Sequence, residues 1–467
     1  MSIAAAFMVP HPPMIVPEIG RGSEKQVAET AAAYGQAADE IARLDPETII
    51  ITSPHSVMYA DYFHISPGRG AKGSFAGFGA PQVSFDVDYD RRMVDVLCRL
   101  AEERAFPAGT LGERDSALDH GTMVPLWFIE RAYDRLGKEK DYRLIRTGLS
   151  GLSLPDHYRF GQLIREAAEE TGRRTVLVAS GDLSHKLQDY GPYGFAQEGP
   201  EYDRRIMDVC GRGAFGELFA FSEEFCERAA ECGHRSFVVM AGAFDGLAVE
   251  AKALAHQDVT GVGYGVCTVY PAGPDESRRF LDEYLKKAEE EARARRGGED
   301  PWVQLARQSL ESYILRRERM EVPGGLPEEM VNRKAGAFVS IHENGALRGC
   351  IGTIGPTTPC VAQEIINNAI SASTADPRFP AIRPEELPML EINVDVLGEP
   401  EDITDESELD VKRYGVIVSH GGRRGLLLPD LEGVDTVRQQ VDIARQKAGI
   451  GPLEKVKLQR FEVIRHR

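Results

Sequence analysis

Three uninterrupted apolar runs stand out in the first half of the chain, and each leads directly into a segment that contains a histidine. The runs and their histidines are residues 3–8 before His11, residues 48–52 before His55, and residues 175–179 before His185. Short β-branched runs without polar alternation are typical of parallel strands that are covered on both faces. Because ligands gather beyond the carboxyl ends of such strands, the pattern predicts that the three histidines converge.

Amphipathic stretches separate these strands. Apolar and small residues at helical spacing predict helices over residues 24–44, 91–104, 124–136, 155–171, 198–210, 217–225 and 237–247. Further strands are predicted at residues 63–66, 83–87, 142–147 and 262–270, and the glycine-rich residues 68–79 are predicted to form a flexible rim or a turn. This alternation predicts an α/β domain with a central, mostly parallel or mixed sheet flanked by helices.

The pattern changes after residue 274. Residues 277–296 are dominated by Glu, Lys, Arg and Ala and are followed by two glycines, which is typical of a solvated helix and a hinge. Beyond residue 300, one amphipathic helix precedes short strands at 337–342, 391–397 and 415–419, an α+β signature. We therefore divide the chain into a domain at 1–274, a charged helical linker at 275–299 and an α+β domain at 300–467.

Composition narrows the class of protein. The net charge of −18 argues against nucleic acid or an anionic membrane as the main partner. No apolar run approaches the roughly 20 residues of a membrane span, and the N-terminus lacks the basic start of a signal peptide. The seven cysteines are widely spaced and form no CxxC pair, which argues against a disulfide framework. Together these features predict a cytoplasmic protein.

Histidines and carboxylates in the first half suggest metal chemistry. Neutral imidazoles bind iron, zinc, copper and nickel, and two of them with one carboxylate leave open positions on an octahedral iron for substrate and O₂. Asp182 and Glu231 are the candidate carboxylates, although Asp182 could instead orient His185, and Glu231 could simply favour the start of a helix. Cys232 is a rival ligand beside Glu231, and its thiolate would favour other metals or redox states.

Four segments, taken in order, resemble the class III extradiol ring-cleavage dioxygenases, including their Memo-like branch, over roughly residues 1–270. They are Pro10-His11-Pro12, Ser53-Pro54-His55, Asp119-His120-Gly121-Thr122 and Gly181-Asp182-Leu183-Ser184-His185. The resemblance implies an Fe(II) site, with Zn(II) or Cu as alternatives, and a small catecholic or phenolic substrate that reacts with O₂.

The same resemblance implies roles for individual residues. His11 and His55 would bind the metal, His185 would act as acid and base, and His120 would lie near the substrate. The family's third ligand is a carboxylate late in the domain, which favours Glu231. Memo-like proteins resemble this region with a cysteine instead, and that cysteine would align with Cys232. Asp182 joins His185 and His120 as a catalytic candidate.

The second half resembles the AMMECR1 domain over roughly residues 300–467. The segments that carry this resemblance are Leu347-Arg348-Gly349-Cys350-Ile351-Gly352-Thr353 and Asp376-Pro377-Arg378-Phe379-Pro380. Cys350 beside Arg348 is a candidate for an activated thiolate, because a nearby cation favours the thiolate; alternatively it is a small buried residue in a tight strand turn.

Two classes of function follow. The first is an extradiol-type dioxygenase fused to an AMMECR1 domain of undefined role. The second is a metal- or peptide-binding Memo-like module without oxygenase activity; a zinc hydrolase that uses His185 and Asp182 is a further alternative. The fusion also resembles a bacterial and archaeal system that includes a radical SAM protein, which implies such a protein as a partner. A homo-oligomer is compatible with each of these functions.

Overall fold

A computed structural model describes residues 2–114, 117–343, 346–431 and 433–467. The chain divides into two units, Met1–Tyr284 and Leu285–Arg467. The boundary lies inside a helix, Phe280–Gly298, which covers most of the segment assigned above as a linker. Among the described helices, none combines the length and the apolar character needed to cross a bilayer.

In the first unit, the described strands are β1 (Ile3–Val9), β2 (Thr48–Ser53), β3 (Phe63–His64), β4 (Gly70–Phe75), β5 (Ala80–Asp88), β6 (Ala108–Gly109), β7 (Arg143–Gly148), β8 (Thr175–Ser180), β9 (Leu247–Gln257) and β10 (Tyr264–Pro274). The described helices are α1 (Pro17–Gly20), α2 (Ala28–Leu44), α3 (Arg91–Glu103), α4 (His120–Leu136), α5 (Leu154–Thr171), α6 (Glu198–Arg212), α7 (Glu223–Ala229) and α8 (His234–Ala243).

The central sheet has the strand order β7-β2-β8-β1-β10-β9. Strands β7, β2, β8 and β1 are parallel to one another, whereas β10 pairs antiparallel with both β1 and β9. Every residue of β2 and β8 is buried, as expected for strands that helices cover on both faces. The predicted α/β domain with a mixed central sheet is therefore confirmed, and the carboxyl ends of β1, β2 and β8 meet at one edge.

Helices cover the two faces of this sheet. Alternate residues of β1, namely Ala5, Phe7 and Val9, share one hydrophobic core with α2 and α4. Helices α5 and α8 pack together and contact β1 and β8 from the other face. The site at the sheet edge thus rests on strands that are fixed from both sides.

Some local predictions were wrong. Helix α8 ends at Ala243, and the chain turns at Gly246 (φ +69°) into β9, an antiparallel strand that the sequence interpretation missed. The half-exposed pattern of β9 lacks the continuous apolar run that marked β1. Part of the predicted glycine-rich rim forms strand β4, which pairs with β5 in a hairpin.

In the second unit, the described strands are β11 (Ala337–Glu343), β12 (Ala346–Gly352), β13 (Leu390–Leu397), β14 (Glu401–Ile403), β15 (Tyr414–His420), β16 (Arg423–Leu427) and β17 (Lys457–His466). The helices that lie in this unit or lead into it are α9 (Phe280–Gly298), α10 (Pro301–Arg316), α11 (Glu328–Asn332), α12 (Val361–Thr374) and α13 (Val437–Lys447). The sheet order is β12-β11-β13-β17-β15-β16, with β14 beside β17, and the pairs are antiparallel. This arrangement confirms the α+β class.

Candidate metal centre

The histidines predicted to converge do lie together at the carboxyl edge of the central sheet. His11 follows β1 and His55 follows β2, and their Nε2 atoms are 3.0 Å apart. The ring of His120, the first residue of α4, lies 4.0 Å from the ring of His55 and 5.5 Å from that of His11, measured between centroids. Burial lowers the pKa of His11, and the imidazoles of His55, His120 and His185 add to this effect; His185 lies in the loop after β8. Residues far apart in sequence therefore form one cluster.

Cys232 completes a group able to hold one metal ion. Its Sγ lies 3.6 Å from Nε2 of His11, and the ligand atoms of His11, His55 and Cys232 all lie within 4.8 Å of one another. The close approach depends on two glycines: a Cβ on Gly181 would lie 2.2 Å from the Cα of Gly233. Without side chains at these positions, the loop after β8 and the turn before α8 can touch, and Cys232 reaches the sheet edge.

Glu231, the third ligand preferred from the sequence, is engaged at the start of α8. Its Oε2 accepts a hydrogen bond of 2.6 Å from the backbone N–H of His234, the first residue of α8. Burial raises the pKa of Glu231 to about 7, although that hydrogen bond acts in the opposite direction. The carboxylate therefore satisfies a helix N-terminus, and the geometry favours Cys232 at the cluster.

Hydrogen bonds fix the tautomer of His11. The hydroxyl of Ser180 donates to the carbonyl of Gly121 at 2.6 Å, so the same Oγ accepts from Nδ1–H of His11 at 2.9 Å. The proton on Nδ1 leaves Nε2 with a free lone pair directed at His55 and Cys232. Burial and the neighbouring imidazoles lower the pKa of His11, which keeps the ring neutral. A neutral imidazole oriented through its other nitrogen is the form that binds a metal.

Asp119 organises the His55 side of the cluster. It accepts a hydrogen bond of 2.6 Å from the hydroxyl of Ser53, and that hydroxyl in turn accepts from the backbone N–H of His55 at 3.2 Å. Asp119 also caps α4 through the backbone N–H of Thr122. The guanidinium of Arg146, which is buried, lies 3.8 Å from the Asp119 carboxylate. This network holds the loop after β2 against the start of α4.

Asp182 and His185 supply titratable groups beside the cluster. Asp182 accepts a hydrogen bond of 2.8 Å from the backbone N–H of His11, and its other oxygen lies 4.0 Å from Nε2 of His11. Burial raises the pKa of Asp182 to about 7. Burial lowers the pKa of His185, and it lowers that of His120 to about 4. The group therefore offers neutral imidazoles and a carboxyl that can exchange a proton near neutral pH.

These residues fit a transition metal. Two imidazole nitrogens and one sulfur form a donor set that suits iron, copper or zinc. Burial and the nearby carboxyl groups raise the pKa of Cys232, so in the metal-free protein the thiol keeps its proton, and a bound cation would replace that proton. The backbone N–H of Asp182 donates to this sulfur at 3.3 Å and would stabilise it as a thiolate.

In the second unit, Arg348 and Cys350 are not paired as expected. Nε of Arg348 donates to Glu386 at 2.7 Å, so the guanidinium is engaged away from the thiol. Cys350 lies in β12, where its Sγ accepts from the hydroxyl of Ser340 at 3.2 Å and its backbone N–H donates to Asp376 at 2.9 Å. The expected activation of Cys350 by Arg348 is therefore not supported by the geometry.

Sequence reasoning missed the supporting hydroxyls. Ser53 and Ser180 are the last residues of β2 and β8; the Ser53 hydroxyl accepts from the backbone N–H of His55, and the Ser180 hydroxyl accepts from the ring of His11. A signal was available, since a serine stands at the corresponding place in both strand-to-loop segments. The sequence leaves Cys232 and Glu231 as alternatives, because nothing local distinguishes these adjacent residues as ligands.

The mixed α/β sheet carries a candidate metal site at its carboxyl edge, and comparison with known proteins gives the family. Residues 5–267 match the family described as the catalytic LigB subunit of aromatic ring-opening dioxygenase, and residues 303–466 match AMMECR1. The chain belongs to the LigB family through its first unit and carries an AMMECR1 domain in its second.

The chain is similar to proteins of several organisms, over its whole length or over about a third of it. A protein of Clostridium acetobutylicum is 40% identical over 475 residues, with all of both chains covered. A protein of Thermotoga maritima is 51% identical over 172 residues, which is 36% of this chain and 99% of that one. A solved structure of an uncharacterized protein from Pyrococcus horikoshii shares 33% identity over 35% of this chain and 88% of its own, with a TM-score of 0.33.

Proposed function

We propose that the first unit binds one transition-metal ion, Fe(II) in the first place and Cu or Zn(II) as alternatives, and oxidises a catecholic or phenolic small molecule with O₂. The observation that supports this most directly is the cluster of His11, His55 and Cys232 at the carboxyl edge of a LigB-family sheet. A bound iron would supply the electron transfer that lets O₂ react with a closed-shell ring. Both oxygen atoms enter the product as the ring bond breaks, so no external reductant is needed.

The residues around the cluster have complementary tasks in this proposal. His185 is neutral because burial lowers its pKa, so it can accept a phenolic proton and return it during ring opening. His120, also neutral, can donate a hydrogen bond to the substrate or to O₂. Asp182, whose pKa is raised to about 7 by burial, can hold or release a proton beside His11.

The test is oxygen consumption by protein that is purified anaerobically and loaded with Fe(II). We expect O₂ uptake in a 1:1 ratio with one member of a catechol panel, together with a yellow ring-fission product. His55→Ala should lower the rate at least 100-fold, whereas His342→Gln, in strand β11 of the second unit, should leave it within twofold. Stoichiometric iron without O₂ uptake on any catechol would contradict the oxygenase assignment.

A second function is a metal-binding module that performs no oxygenation and works with a radical SAM partner. The specific observation in its favour is the thiol of Cys232, where a carboxylate was expected. A thiolate ligand favours softer metals and other redox states. Metal competition separates the two functions: preference for Cu or Zn(II) over Fe(II), with no O₂ uptake, would favour this second one.

A further inference from the structure

Two partly exposed aromatic rings lie against histidines of the candidate metal centre. The ring of Phe78 is 5.6 Å from that of His120 with an interplanar angle of 66°. The ring of Tyr193 is 5.2 Å from that of His185 with an angle of 78°. Phe78 is 42% exposed and Tyr193 is 60% exposed. A ligand can therefore contact Phe78 beside His120 and Tyr193 beside His185.

Phe78 is presented by a fixed turn. It lies in the connection between β4 and β5, and Gly79 follows it with φ of +77°. Nη2 of Arg21 donates to the carbonyl of Gly79 at 3.0 Å. The exposure of the ring is thus a property of a defined hairpin tip, not of a segment without contacts.

The loop that carries Tyr193 is held in a similar way. Leu187 and Phe195 form an antiparallel bridge across its base, and the backbone N–H of Ala196 donates to the carbonyl of Lys186 at 3.1 Å. A Cβ on Gly191 would lie 2.9 Å from the Cα of Gly261, so the loop packs closely on the turn before β10. Tyr193 therefore has a defined place beside His185.

We propose that Phe78 and Tyr193 are specificity-determining residues that receive the planar ring of the substrate beside His120 and His185. An edge-to-face contact with a histidine uses only part of each ring, and the exposed remainder can pack against an aromatic ligand. Two aromatic contacts select a flat aromatic ring over a saturated ring that carries the same vicinal hydroxyls. This inference rests on the proposed function, because it names the side chains that recognise its substrate class.

The test measures binding without turnover. Fe(II)-loaded protein is titrated anaerobically with 4-nitrocatechol, whose absorbance reports binding, and with trans-cyclohexane-1,2-diol as a saturated competitor. The variants are Phe78→Leu, Tyr193→Leu and Tyr193→Phe. Tyr190→Leu is the matched control, since Tyr190 lies in the same loop as Tyr193 and is 73% exposed. Its hydroxyl donates a hydrogen bond to the carbonyl of Val259.

We expect Phe78→Leu and Tyr193→Leu each to raise the Kd for 4-nitrocatechol about two- to tenfold, the range of a single aromatic contact. Tyr193→Phe and Tyr190→Leu should stay within twofold of wild type, and iron content should be the same in all. Wild-type affinity in both leucine variants, or an equal loss in Tyr190→Leu, would overturn the inference while leaving the proposed function intact. Failure of the wild-type protein to hold iron or to bind 4-nitrocatechol would overturn both.

Discussion

At the scale of single residues, the metal affinity of the cluster should depend on a hydroxyl that never touches the metal. Ser180→Ala removes the acceptor that holds the proton on Nδ1 of His11. The ring is then free to carry its proton on Nε2, which blocks the lone pair that would bind the metal. We expect about 10- to 100-fold weaker metal binding in a chelator competition assay. Ser236→Ala is the control, because the buried Ser236 hydroxyl makes no hydrogen bond to the described residues. Equal affinities of the two variants would contradict this role for Ser180.

Variants of the adjacent residues Glu231 and Cys232 should show which one binds the metal and which one caps helix α8. Cys232→Ala removes one of three donor atoms, and metal stoichiometry should fall from one to near zero. Glu231→Gln should keep the stoichiometry and change stability by no more than about 1 kcal/mol, since an amide oxygen can still accept from the backbone N–H of His234 at the start of α8. Metal analysis and thermal denaturation of both variants measure this. Loss of metal from Glu231→Gln with retention in Cys232→Ala would reverse the assignment.

The histidines could be predicted from sequence, whereas the third donor could not. His11, His55 and His185 follow buried strand runs, and strand ends meet at one edge whatever the intervening chain does. The choice between Glu231 and Cys232 depends on the contact of Gly181 with Gly233, which is a tertiary event. A shift of one residue in the turn decides which side chain faces His11, and no local pattern records it.

At the scale of elements, an ion pair ties β9 and α6 to the loop that carries His185. Nε2 of His256 in β9 lies 2.7 Å from Asp203 in α6, and Asp203 also accepts from the backbone N–H of Ser184. Burial disfavours the charged form of His256, but the carboxylate outweighs it and, helped by Asp258, raises the pKa of His256. A raised pKa means that the stabilisation is fully present below the unfolded value of about 6.5 and is lost as pH rises through the folded value.

The corresponding prediction concerns the melting temperature. The difference in Tm between wild type and His256→Gln should be larger at pH about 5.5 than at pH about 8.5, because only the wild-type side chain becomes a cation at the lower pH. Differential scanning fluorimetry in buffers of matched ionic strength measures the difference. A gap that is constant, or that grows with pH, would show that His256 contributes only a neutral hydrogen bond.

Helices and strands could be predicted from the sequence where one face or both faces of the element are buried. The buried strands β1, β2 and β8 and the helices α3 and α5 carry their own signals, in continuous apolar runs and in helical spacing. The edge strand β9 carries no such signal, because much of it is exposed and it gains its order by pairing with β10. Edge elements that depend on a partner strand are therefore the ones that single-sequence patterns miss.

At the scale of the whole molecule, the two units should respond differently to metal. The donor atoms of His11, His55 and Cys232 all lie in the first unit, and the second unit has hydrophobic cores of its own. A ligand that binds only the folded state stabilises it by about 2.7 kcal/mol at a hundredfold excess over Kd. Calorimetry should thus show two transitions, of which metal raises one. Cys232→Ala should abolish that shift without moving the other transition, whereas a single transition that moves as a whole would show that the units unfold as one cooperative block.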